Sequence, residues 1–221
     1  MHEERVAILA WHLAKQLVEK GMEVDILHAI NMAEAHDDLE VITGDIPSPE
    51  KRKPARRKQI LQAEREAARA LDREFKEKYP GVPRPFGSHL KLLRELTKEK
   101  TIESQIVKVA DHIDGLGETF CEIILGNDLF LQVLEDYWSV FEEYDRKYPW
   151  WRDIKQDWGL GEFPTREKAL EIREDESLAP AFYKVWLFHT EMMVRAYLAR
   201  QERMEKRIAE IRAKAEGDTG A

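Results

Sequence analysis

The stretch Ala35-His36-Asp37-Asp38-Leu39-Glu40-Val41-Ile42-Thr43-Gly44-Asp45-Ile46-Pro47 constrains this chain more than any other. It ends an apolar helical run and gathers one histidine and four acidic residues, chemistry that a core helix does not need. Neighbouring residues on a helix point about 100° apart, so a single ion at the helix end can touch both His36 and Asp37. Glu40 follows Asp37 by three positions and His36 by four, which places it on the same helix face. Gly44 can adopt a positive φ and is expected to end the helix. Asp45 then stands just past the terminus, where a loop residue can turn back toward the ion. Pro47 and Pro49 bar further helix.

Helical periodicity accounts for most of the remaining chain. Val6, Leu9, Leu13 and Leu17 predict an amphipathic helix over 5–20, closed by Gly21, with His2 standing just before it. A second helix is expected over 24–38, carrying Ile26, Leu27, Ile30 and Met32, with His36 and Asp37 near its C-terminal end. Residues 47–57 read as a loop. The run Lys51-Arg52-Lys53-Pro54-Ala55-Arg56-Arg57-Lys58 is either a solvated segment or a cationic lip that attracts phosphates toward the neighbouring acids. A helix over 55–78 follows, then a break at Tyr79-Pro80-Gly81-Val82-Pro83-Arg84-Pro85 and a short helix over 90–96.

Thr101 reads as the N-cap of a helix that runs past Gly115 and Gly117 to about residue 125. Asp111 sits in its middle on an apolar background, where a carboxylate is costly unless it is coordinated or paired, for instance with Lys108 one turn earlier. After Gly126-Asn127-Asp128 comes an aromatic-rich helix over 129–144. Tyr148-Pro149-Trp150-Trp151 and Trp158-Gly159-Leu160-Gly161 read as a connector that covers a core edge or a dimer contact rather than lining a base pocket. A long helix over 180–215 closes the chain, apolar in its first half and charged in its second. No strand is expected. His12 and His28 read as surface or packing residues, His112 as pointing to another face than Asp111, and His89 and His189 as isolated.

The pattern His36-Asp37-x-x-Glu40-x-x-x-Gly44-Asp45-Ile46-Pro47 resembles the HD-domain phosphohydrolases, in the branch that contains the bacterial 5′-deoxynucleotidases and their eukaryotic relatives. Gln105-Ile106-Val107-Lys108-Val109-Ala110-Asp111 is similar to the run that supplies that family's last metal ligand. His2-Glu3-Glu4-Arg5-Val6-Ala7-Ile8-Leu9-Ala10 resembles its first core helix, which a histidine opens. Family members carry a further helix before that histidine. Here only Met1 precedes it, so either the sequence is shortened or the C-terminal part covers the gap.

The resemblance implies an all-α HD-domain helical bundle over residues 1–147, with a C-terminal helical extension, 148–221, packed on the same domain. It implies one divalent metal ion (Mn, Co, Fe, Ni, Zn or Mg) held by His2, His36, Asp37 and Asp111. Glu40 and Asp45 become the catalytic acids that handle the attacking water and the leaving oxygen, and Lys108 a phosphate contact. The implied reaction releases phosphate from deoxynucleoside 5′-monophosphates. The alternatives are a deoxynucleoside triphosphate triphosphohydrolase and a non-catalytic helical protein that retains the metal site.

Composition narrows the partners. A formal net charge of −8 argues against broad, sequence-blind nucleic-acid binding, though not against a small anionic substrate. Cys121 is the single cysteine, so no intrachain disulfide can form. Without an apolar run of membrane length or a secretory signal, the expected setting is cytoplasmic. The expected partners are a nucleotide substrate and a second copy in a homodimer, with no stable nucleic-acid partner and no membrane.

Overall fold

The computed structural model describes residues 2–46, 53–84, 87–162 and 165–218. Among them are ten α-helices, one 3-10 turn and no strand, so the fold is all-α. Pro47, Pro49, Lys51, Arg52 and Pro85 lie outside the described residues. In chain order the helices are α1 (His2–Glu19), α2 (Ile26–Glu34), α3 (Glu40–Thr43), α4 (Pro54–Lys78), α5 (His89–Lys98), α6 (Ile102–Ile124), α7 (Phe130–Lys147), α8 (Pro149–Ile154), α9 (Arg166–Glu174) and α10 (Ala181–Asp218). Among the described residues, no helix is long and apolar enough to cross a membrane.

Helix α6 is the axis. The Thr101 hydroxyl accepts the Ser104 N–H and caps it. Ile106, Val109, Ile113, Leu116, Phe120 and Ile123 are fully buried along its length, so it is apolar on most of its circumference. Helices α1 and α2 pack against each other and against α6, and α7 packs on another side of it. Val6, Leu9, Leu13 and Leu17 form the buried stripe of α1.

The segment after Tyr148 is more ordered than its composition predicts. Pro149 stands at the first position of α8, where its missing N–H costs nothing. Trp150, Trp151 and Trp158 all enter the main core. Helix α9 shows little helical periodicity in the sequence, since its apolar residues are Ala169 and Ile172, which are buried, and Leu170, which packs partly buried against the core. The first turns of α10 bury Phe182, Tyr183 and Trp186 in the same core, and beyond them most residues of that helix are exposed.

Helices α4 and α5 form a hairpin that joins the body through α5, whose Leu92 and Leu96 enter the main core. Of the 25 residues of α4 only Ala67 and Ala68 are buried. They share a small apolar cluster with Leu39, flanked by Leu71, Leu90 and Leu93. The space between this hairpin and the body becomes the cleft described below.

Phe120 has no exposure and packs edge-on against Phe182, with ring centroids 5.4 Å apart, joining the axial helix to the C-terminal one. Replacing Phe120 with alanine is expected to lower the unfolding free energy by about 3–5 kcal/mol in guanidinium titrations. A loss below about 1 kcal/mol would mean that α10 does not share the α6 core.

Candidate metal centre

The second helix ends earlier than its periodicity suggests. Helix α2 stops at Glu34, with Ala35 as its cap, and His36, Asp37 and Asp38 occupy a turn. The bonds Asp38 N–H to Ala35 O (3.4 Å) and Glu40 N–H to Asp37 O (2.8 Å) are three-residue closures, not helical ones. His36 and Asp37 therefore do not stand on a helix end, and Glu40 does not share a helix face with them. Glu40 instead opens the four-residue α3, which Gly44 closes at φ 70°. In this turn the two consecutive side chains still aim at one point, with His36 Nε2 3.3 Å from Asp37 Oδ2.

His2 is the first residue of α1, within the helix rather than before it. Its Nε2 lies 3.3 Å from Asp37 Oδ2 and 3.4 Å from Asp111 Oδ1. His36 Nε2 lies 3.3 Å from the same Asp37 oxygen and 3.7 Å from the same Asp111 oxygen. The donor atoms of His2, His36 and Asp37 all fall within 4.8 Å of one another. Ligands bound to one first-row ion at about 2.0–2.2 Å stand roughly 3–4 Å apart, which is the spacing of the four histidine–carboxylate pairs above.

The tautomers agree with that role. His36 Nδ1 donates to the Ala33 carbonyl at 2.6 Å, which leaves Nε2 as the free nitrogen. That Nε2 is buried without any hydrogen-bond partner among the described residues. A buried orphan nitrogen flanked by two carboxylates fits a cation-binding position, so the donor set suits a divalent ion. His2 Nδ1 donates to Asp114 Oδ2 at 2.7 Å, so its Nε2 is likewise turned inward. A ring nitrogen that binds metal ordinarily has its other nitrogen fixed in this way.

Asp114, one turn after Asp111, was not anticipated. It has no solvent exposure. Arg5 Nε donates to its Oδ1 at 2.6 Å and Arg5 Nη2 to its Oδ2 at 3.0 Å, while Trp186 Nε1 donates to Oδ1 at 2.8 Å. Arg5 also pairs with Glu118. The signal that singles out Asp111, a carboxylate on an apolar helix face, applies equally to Asp114 and could have found it.

The acids set the local electrostatics. Hydrogen bonding to Asp111, then to Asp114 and Asp37, pushes His2 up to about 12. Burial works against charge on His36, but the pull of Asp111 and Asp37 outweighs it and raises its pKa. Desolvation pushes Asp111 up as well, yet its contacts with His2 and His36 win and hold it well below the usual carboxylate range. The site is thus built to hold positive charge.

The centre lies at the foot of a cleft of about 330 Å³, lined by His36, Asp37 and Asp111. Glu40 and Thr43 line it from α3, and Lys108 from α6. Helix α4 contributes Arg57, Ile60 and Leu61, so part of the basic run does face the site. Asp45 is not brought there: it is exposed just past Gly44 and is not on the cleft wall.

A polar tether joins this turn to the α4–α5 hairpin. Asp38 Oδ2 accepts His89 Nε2 at 2.8 Å, and Asp72 Oδ1 contacts His89 Nδ1 at 3.1 Å and accepts Arg84 Nη2 at 2.6 Å. His89 is therefore far from isolated. Neither is His189, whose Nε2 is 3.0 Å from that of His12, and His28 pairs with Glu95 at 3.1 Å.

The family model described as 5′-deoxynucleotidase YfbR-like matches residues 1–148. A solved structure of a conserved hypothetical protein from Pyrococcus furiosus is 28% identical over 71% of this chain and 79% of its own, with a TM-score of 0.48. The crystal structure of PH0347 protein from Pyrococcus horikoshii OT3 is 21% identical over 83% of this chain and 81% of its own, with a TM-score of 0.52, a likeness of fold. No curated protein matches the chain. The extent of the family match means that the chain belongs to the YfbR-like 5′-deoxynucleotidase family, within the HD-domain phosphohydrolases.

Because the raised pKa leaves the His2 ring protonated at neutral pH, an incoming ion must displace that proton. Metal affinity is expected to rise with pH through the neutral range, by about tenfold per unit for each proton displaced, and to fall in acid. Calorimetric titration with Mn²⁺ in buffers of different protonation enthalpy reads the protons released. Uptake without proton release would contradict His2 as a ligand.

Proposed function

We propose that this member of the YfbR-like family hydrolyses deoxynucleoside 5′-monophosphates to nucleoside and phosphate, with a divalent ion held by His2, His36, Asp37 and Asp111. Family membership supports a phosphohydrolase of the 5′-deoxynucleotidase type. The observation that carries the reading is the buried His36 Nε2, without a hydrogen-bond partner among the described residues, facing two carboxylates at the foot of a cleft. Two imidazoles and two carboxylates suit Mn²⁺, Fe²⁺, Co²⁺, Ni²⁺ or Zn²⁺. When bound, such an ion neutralises phosphate charge and makes water a better nucleophile.

The chain's own groups supply the rest. Lys108 and Arg57, on different walls of the cleft, offer cations to the phosphate oxygens. Glu40, on the same wall as the turn, takes the proton from the attacking water. Ile60, Leu61 and Leu93 give the sugar and base an apolar surface. Glu64 and Glu99 also line the cleft. Asp45, exposed and off the wall, contributes less than Glu40.

The test is phosphate and triphosphate release from a panel of deoxy- and ribonucleotides by the metal-stripped chain resupplied with Mn²⁺, Co²⁺ or Mg²⁺. Phosphate release from deoxy-monophosphates is expected, and triphosphate release would move the activity to the triphosphohydrolase class. Glu40→Gln should lower kcat by about 10²–10⁴-fold with metal content unchanged. Asp45→Asn should have a smaller effect. Lys108→Ala and Arg57→Ala should act chiefly on KM. Full activity in Glu40→Gln would remove it from the reaction.

A further inference from the structure

We infer that Trp186 is a positioning residue for the metal centre, supplied by the C-terminal helix from outside the segment that the family model matches. This rests on the metal-centre reading above. The Asp114 carboxylate has no exposure and about four lone-pair directions to satisfy. Oδ2 receives His2 Nδ1 at 2.7 Å and Arg5 Nη2 at 3.0 Å. Oδ1 receives Arg5 Nε at 2.6 Å and Trp186 Nε1 at 2.8 Å. The indole N–H is thus the last of the donors that fix how the carboxylate is rotated, and the carboxylate in turn fixes the ring of His2.

The indole is itself held on several sides. Trp186 is 4% exposed and stacks on Tyr183, with centroids 5.8 Å apart and planes at 15°. The Arg5 guanidinium lies over its ring at 5.2 Å, so the same side chain steadies both Asp114 and its other partner. Gly117 makes the approach possible, since a Cβ there would come within 2.4 Å of Trp186 Cγ. A tryptophan placed only to fill space would not need its nitrogen aimed at a buried carboxylate.

Loss of the N–H leaves Oδ1 to Arg5 alone and lets Asp114 turn, which loosens the angle at which His2 presents Nε2. Partners of this kind behind a ligating histidine are worth about 10–100-fold in metal affinity. The C-terminal helix therefore tunes the centre without contributing a ligand to it.

The experiment titrates Co²⁺ into the metal-free full chain and follows its visible absorption, together with guanidinium unfolding of the same samples. Trp186→Phe keeps an aromatic ring and removes the donor. Phe182→Leu, also buried on α10, is the control lesion with no N–H to lose. Trp186→Phe is expected to weaken Co²⁺ binding by about tenfold or more and to shift the absorption bands, which report ligand geometry. Phe182→Leu is expected to bind Co²⁺ as the wild type does despite its lower stability. Wild-type affinity and spectrum in Trp186→Phe would overturn the inference, as would losses that merely follow stability in both variants. A wild-type chain that takes up no Co²⁺ would overturn the metal centre itself and this inference with it, a result distinct from the first.

Discussion

The carboxylate of Asp114 is the point at which three helices are tied together. It has no exposure, and it bonds to Arg5 and His2 on α1 and to Trp186 on α10. A buried charge is tolerable only when it is paired and its lone pairs are filled, and removing one partner from such a pair costs about 3–5 kcal/mol. The knot is consequently more a device of specificity than a source of net stability. It sets the rotation of α1 about its own axis against α6. With that rotation fixed, the first residue of α1 must lie beside Asp111, on the same face of α6 one turn earlier.

From that constraint the site assembles in order. His2 and Asp111 come together because α1 lies along α6. The turn after α2 then delivers His36 and Asp37 to the same place. The α4–α5 hairpin is seated on the core through Leu92 and Leu96 and held to that turn through Asp38, His89, Asp72 and Arg84. Helix α4 itself buries only Ala67 and Ala68, and the space between it and the body is the cleft. Its two walls are thus fastened to each other beside the candidate ligands.

The helices of the body were legible because their apolar spacing is regular: the stripes of α1 and α6 fall where the periodicity places them. The candidate ligands were legible for a different reason. His36, Asp37 and Asp111 are polar groups on apolar runs, which a core does not tolerate without a partner. Asp114 carries the same signal and passed unread beside Asp111. The expected end of α2 at 38 overshoots because no glycine or proline follows Glu34 before Gly44 to mark the stop. Asp45 drew its catalytic role from the resemblance, and its position next to Gly44 in the chain does not fix where an exposed side chain points. Trp186 and His89 had no local signal at all. Their partners are 72 and 51 residues away, and one sequence carries no trace of a contact at that range.

The most direct test of the account is anomalous diffraction from crystals of the Mn²⁺-loaded chain. It predicts one ion at about 2.0–2.3 Å from the Nε2 atoms of His2 and His36 and from oxygens of Asp37 and Asp111, with His2 Nδ1 still on Asp114. An ion bound elsewhere, or one ligated by the carboxylates without His2 and His36, would contradict it.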